Sequence, residues 1–95
     1  MDGVDPGTVH AAEHLLADVP EVQVVDEVRM RWLGHALHAE VNLTVSASLT
    51  LSHAHRTAHL AEEELIREIP KLRTATVHAY PAHADAYPWA RGLTR

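Results

Sequence analysis

The chemistry open to this sequence is carried by histidine. Nine are present, at positions 10, 14, 35, 38, 53, 55, 59, 78 and 83, against eight Lys and Arg together. They are dispersed rather than contiguous. Imidazole titrates near neutral pH and is the commonest borderline metal ligand, so such an excess points to metal binding or proton sensing. In the fragment His53-Ala-His55-Arg-Thr-Ala-His59, the last two histidines stand at i and i+4, one turn apart on one helix face, with Glu62 continuing it. That spacing lets two imidazoles share an ion; it equally suits two solvated histidines. It is not the protease zinc motif, since no His-Glu-x-x-His occurs. His38, Glu40 and Asn42 alternate along one segment, and His78 and Tyr80 along another, so each set shares a strand face. Nitrogen and oxygen donors of this kind suit Zn, Mn, Fe or Co, although a merely wet sheet face has the same pattern. Asp26 falls in an otherwise apolar register, where an unpaired carboxylate is costly. It is expected at a bulge, a sheet edge or a metal.

Other chemistries find little support. The absence of cysteine removes disulfides, thiolate metal sites and thiol nucleophiles. No serine stands in a nucleophile-elbow context, and the four glycines form neither an oxyanion loop nor a phosphate-binding loop. An enzyme is not expected. A net charge of −5 without a basic stripe disfavours nucleic acid as a partner. The apolar runs fall short of the roughly 20 residues of a membrane span, and no charged segment leads into a secretory apolar core.

The elements that must position these residues follow from hydrophobic period. Asp5-Pro6 reads as an N-cap followed by proline at the first helical position, and Val9, Ala12, Leu15 and Leu16 recur at helical spacing. A first helix is expected over about 6–18. From Val22 the period becomes two: Val22, Val24, Val28, Met30 and Trp32 share one face, interrupted by Asp26, while Val25, Glu27, Arg29 and Arg31 share the other. Gly34 breaks this strand. Leu37, Ala39, Val41, Leu43 and Val45 then alternate with His38, Glu40, Asn42 and Thr44, making an antiparallel hairpin. Thr50 or Ser52 caps a second helix with an apolar stripe of Leu51, Ala54, Ala58, Ala61, Leu65 and Ile69, ended by Pro70. Residues 73–80 alternate again up to Pro81, and from Ala82 no period is sustained. The expected domain is α+β, with order α-β-β-α-β: an open three-stranded sheet with two helices on its apolar face. It covers residues 1–81, and 82–95 are expected to form a flexible tail. With two Trp, two Tyr and no Phe in 95 residues, the core is aliphatic and small, so a partner subunit would help to stabilise it. Trp32 is expected in the core or at such a contact.

The sequence resembles the cytoplasmic C-terminal domain of the cation diffusion facilitator transporters. The resemblance spans residues 1–81 and rests on four pieces in order: Pro20-x-Val22 before the first strand, Arg29-x-Arg31-x-x-Gly34 at the hairpin, Ala54-His55 on the second helix, and Val77-His78-x-x-Pro81 on the last strand. It implies a metallochaperone-like, ferredoxin-like fold and a V-shaped homodimer that binds divalent ions near its interface. It also implies a neighbouring transmembrane domain that exchanges a divalent cation for protons, so the chain would be the cytoplasmic part of a cell-membrane protein and transport nothing by itself. The helix and last-strand histidines of zinc-binding members match His55 and His78. A first-strand histidine falls on Asp26, still a competent ligand. A second-strand histidine falls on Asn42, and an aspartate of the last strand falls on Tyr80, which weighs against a binuclear zinc arrangement. His38, Glu40 and His35 are possible replacements.

The metal set expected is therefore His55, His78, Asp26, His38 and Glu40, holding Zn foremost and Fe or Mn as alternatives. Ions bound between protomers would neutralise clustered carboxylates and favour a closed dimer, with affinity falling as pH drops through about 6.5. A free-standing metal buffer of the same fold and a purely structural dimerisation module are the competing readings.

Overall fold

The computed structural model describes residues 3–82, arranged as α1 (Pro6–Ala17), β1 (Val22–Leu33), β2 (Ala36–Val45), α2 (Leu51–Glu68) and β3 (Leu72–Pro81). The tail expected from Ala82 onward lies, from residue 83, outside the described residues. α1 starts where Asp5 Oδ1 accepts the Gly7 N–H at 2.8 Å, with Pro6 occupying a position whose N–H would have had no helical partner. α2 starts where Thr50 Oγ1 accepts the His53 N–H at 3.1 Å.

The sheet order is β1-β2-β3. β1 and β2 form the expected antiparallel hairpin, turning through Gly34 at φ 65°. β3 runs parallel to β2, so α2 is the crossover between them and the sheet is mixed. Both helices cover the same face. The central strand buries its inward row completely: Leu37, Ala39, Val41, Leu43 and Val45 are each at most 3% exposed. Ala12 and Leu16 of α1, and Ala58, Ala61, Leu65 and Ile69 around α2, close over that row with Leu72 and Val77 of β3.

Both helix-to-strand junctions use the same device. Val19-Pro20-Glu21-Val22 and Ile69-Pro70-Lys71-Leu72 each place proline ahead of a residue with positive φ, 77° at Glu21 and 70° at Lys71. In each, the fourth residue's N–H donates to the first residue's carbonyl at 3.2 Å. This is the type II turn pattern.

Three expectations need correcting. β1 does not alternate throughout: register shifts lie between Val22 and Val24 and between Val25 and Glu27, so Gln23 and Asp26 are extra residues. Val25, opposite Leu43, packs on the core, whereas Val24, opposite Thr44, is 48% exposed. Two one-residue slips restore the original phase, so Val28, Met30 and Trp32 face the core as their period requires. On α2, Leu51 does not join the stripe and is 88% exposed; Thr57 is buried instead, donating its hydroxyl hydrogen to the His53 carbonyl.

Candidate metal centre

The face of the sheet opposite the helices carries most of the expected ligands. Strand pairing aligns its side chains in rows across the three strands: Glu27, Asn42 and His78 in one, Arg29, Glu40 and Thr76 in the next, Arg31, His38 and Thr74 in a third. At the other end Thr44 pairs with Tyr80. Asp26, displaced onto this face by its bulge, accepts a hydrogen bond from the Thr44 hydroxyl, 2.6 Å from Oδ2. The bulge thus resolves the cost of a carboxylate in an apolar register by turning it out of that register.

Neighbouring polar groups constrain this set. Arg29 donates to Glu40 at 2.9 Å and lies 3.7 Å from Glu27, and Asn42 donates to Glu27 at 3.4 Å. Glu27, Arg29, Glu40, Asn42 and His78 line a hollow of about 80 Å³. The His78 and Tyr80 rings stack at a centroid distance of 6.4 Å. His38 Nδ1 is hydrogen-bonded to the Thr74 hydroxyl, two rows away from His78.

Asp26, Glu40, His78 and His38 therefore share one face, but His55 does not join them. It stands on α2, in the layer on the other side of the sheet, with its Nε2 3.0 Å from His59 Nε2. Among the described residues, no three His, Cys, Asp or Glu side chains of one chain close around a common point. The donors on the sheet face fit a borderline divalent ion in kind, as imidazoles and carboxylates, but one chain leaves most coordination positions to water or to a second copy. His35 follows the hairpin glycine and is exposed. Sequence periodicity placed Thr44 and Glu27 in polar rows but did not pair them with Asp26 and Asn42. Their roles depend on the bulges, which leave no mark in the hydrophobic pattern beyond Asp26 itself.

The comparisons with known proteins agree with this architecture. Residues 4–82 match the family described as cation efflux protein, cytoplasmic domain. Two curated proteins of Mycobacterium tuberculosis, the probable cation efflux system proteins MT2084 of strain CDC 1551 / Oshkosh and Rv2025c of strain ATCC 25618 / H37Rv, are each 56% identical over 95 residues. That match covers 99% of this chain and 28% of each relative, so the chain spans little more than a quarter of their length. Among solved structures, a nickel form of a MamM CTD variant superposes with a TM-score of 0.79 at 19% identity, over 83% of this chain and 100% of that one. A cadmium form of another variant gives 0.78 at 20% identity, over 82% and 98%. At such identities the likeness shows the shared fold. Among the described residues no helix is long and apolar enough to cross a membrane.

Proposed function

This chain belongs to the family of cation efflux protein cytoplasmic domains, and from that premise we propose that it is the metal-responsive dimerisation domain of a divalent-cation/proton antiporter. The observation that carries this reading is the uncovered sheet face. Both helices pack on the opposite side, leaving Asp26, Glu40, His78 and His38 together on a polar surface that one chain cannot close around an ion. A second copy presenting the same face supplies the missing donors. The stabilising dimer contact anticipated for a small aliphatic core is then also the metal site.

Asp26 and His78 are the principal ligands, with Glu40 and His38 as further donors on the same face. Metal displaces the Thr44 hydroxyl from Asp26 or uses its second oxygen, and it competes with Arg29 for Glu40. Zn²⁺ is the foremost ion, with Fe²⁺ and Mn²⁺ as alternatives, since imidazole with carboxylate is a donor set they share. Binding draws two carboxylate-bearing faces together and shifts an open pair toward a closed one, to the extent that the ion prefers the closed form. The transmembrane part of the transporter, to which the domain is joined, moves the cation; the domain reports its abundance.

Small-angle scattering of chelator-stripped protein during titration with Zn²⁺ and then Mn²⁺ tests this. The wild type compacts as a dimer with defined stoichiometry, and an Asp26→Asn/His78→Ala variant stays open. A dimer whose dimensions ignore metal would leave a purely structural module and overturn the proposal.

A further inference from the structure

The α2 histidines that the sheet-face site leaves unused have a geometry of their own. His55 and His59 lie one turn apart with their Nε2 atoms 3.0 Å apart and their rings edge-on, at a centroid distance of 4.4 Å and an interplanar angle of 86°. Two imidazole nitrogens bound to one ion at about 2.1 Å, and at roughly a right angle to each other, would be separated by about 3.0 Å. The other nitrogen of His59 is also engaged: Nδ1 lies 3.3 Å from Glu62 Oε1. Glu62 is not a freely rotating surface carboxylate. Its side chain is 23% exposed, and its second oxygen accepts the Val77 N–H of the β3 edge at 2.9 Å.

This carboxylate favours the His59 tautomer that carries its proton on Nδ1. A proton on Nδ1 is attracted to the neighbouring Glu62 carboxylate, and that tautomer leaves the lone pair on Nε2, the atom that faces His55. A carboxylate behind a histidine is the arrangement that orients metal-ligating imidazoles and raises their basicity. A hydrogen bond between two solvated histidines would require neither the fixed Glu62 nor its anchor on β3.

We propose that His55 and His59 form a divalent-metal chelate on the outer flank of α2, separate from the sheet face, with Glu62 as its positioning residue. The pair supplies two nitrogen ligands, and water completes the coordination. The ions it suits are those that take imidazole nitrogens at near right angles, Ni²⁺ and Cu²⁺, ahead of tetrahedral Zn²⁺, whereas Mn²⁺, which favours oxygen, is disfavoured. Because Glu62 is held by the Val77 N–H, the chelate is also tied to the strand that carries His78. The assignment does not depend on the sheet-face reading, since neither His59 nor Glu62 belongs to that ligand set.

Calorimetric titration of chelator-stripped protein with Ni²⁺, and separately with Mn²⁺, tests it on the wild type and on His59→Ala, Glu62→Gln and Asp26→Asn/His78→Ala variants, each first checked for folding by circular dichroism. The expected result is one Ni²⁺ per chain that is lost in His59→Ala and retained in Asp26→Asn/His78→Ala, with no corresponding Mn²⁺ event. Glu62→Gln keeps the site but weakens it about 10- to 100-fold. If His59→Ala binds Ni²⁺ with unchanged affinity and stoichiometry, or if the ion disappears only in Asp26→Asn/His78→Ala, the chelate does not exist. A failure of the sheet-face site alone would instead appear as an unaltered response of the Asp26→Asn/His78→Ala variant to Mn²⁺.

Discussion

Thr44 donates its hydroxyl hydrogen to Asp26 across the β1–β2 pair, 2.6 Å from Oδ2, and so secures the extra residue of a bulge to the strand beside it. A hydrogen bond to a charged group contributes more than a neutral one, and Thr44 is 6% exposed. Thr44→Val keeps the shape and removes the donor. It should lower stability by about 1–2 kcal/mol in urea unfolding. Serine at this position, which keeps the hydroxyl, should recover much of the loss; equal losses for both replacements would mean that packing, not the bond to Asp26, is what matters there.

Arg29 sits between Glu40 and Glu27 on the same face. These pairs are exposed, so Arg29→Gln should change stability by less than about 1 kcal/mol. Its effect on cations should be larger in kind. Removing a positive charge and releasing Glu40 raises the negative potential of the face, and Mn²⁺ affinity measured by calorimetry should rise several-fold at low salt. That gain should shrink as ionic strength screens it.

Glu62 covers part of an edge strand. Its replacement by alanine leaves the Val77 N–H open to solvent, and amide exchange at Val77 should accelerate while the interior of β2 remains protected. Glutamine, which can still accept from Val77, should largely preserve the protection.

The core gives a contrast between two leucines. Leu43 of the central strand is 0% exposed and Leu51 at the start of α2 is 88% exposed. Leu43→Ala should cost about 2–5 kcal/mol, enough to unfold much of a domain this small. Leu51→Ala should fall within about 0.5 kcal/mol of the wild type in the same denaturation series.

Much of this structure was legible in the sequence because β2 and α2 follow their periods almost without exception. The apolar row from Leu37 to Val45 is the inward row of the sheet, and Pro6, Gly34 and Pro70 mark the junctions where they were expected. The first strand was only half legible. Its pattern repeats correctly at Val28, Met30 and Trp32, but a pair of bulges cancels in phase, so periodicity could not reveal that Val24 and Val25 exchange faces. Asp26 was the one residue out of place, and it marked the second bulge. The candidate site was legible in composition more than in position. Residues four apart on a helix must be neighbours, so the His55–His59 pairing was fixed by spacing. Whether His55 shares a face with Asp26 depends on which side of the sheet α2 crosses, a tertiary property that no local pattern encodes. The reach of Glu62 to Val77 is likewise set by how the crossover helix lies beside its strand.

The twin proline turns bear on how such a domain can move. One sets the entry to β1 and the other the entry to β3, at opposite ends of the sheet because β1 is antiparallel to β2 and β3 parallel to it. Proline fixes one dihedral in each, and the hydrogen bonds from Val22 to Val19 and from Leu72 to Ile69 close them. The joints where a helical layer would hinge on its sheet are thus short, proline-fixed and hydrogen-bonded. An ion captured by this domain meets a nearly rigid lever, and in the pairing proposed above the work of binding is delivered as rotation of one whole copy against the other.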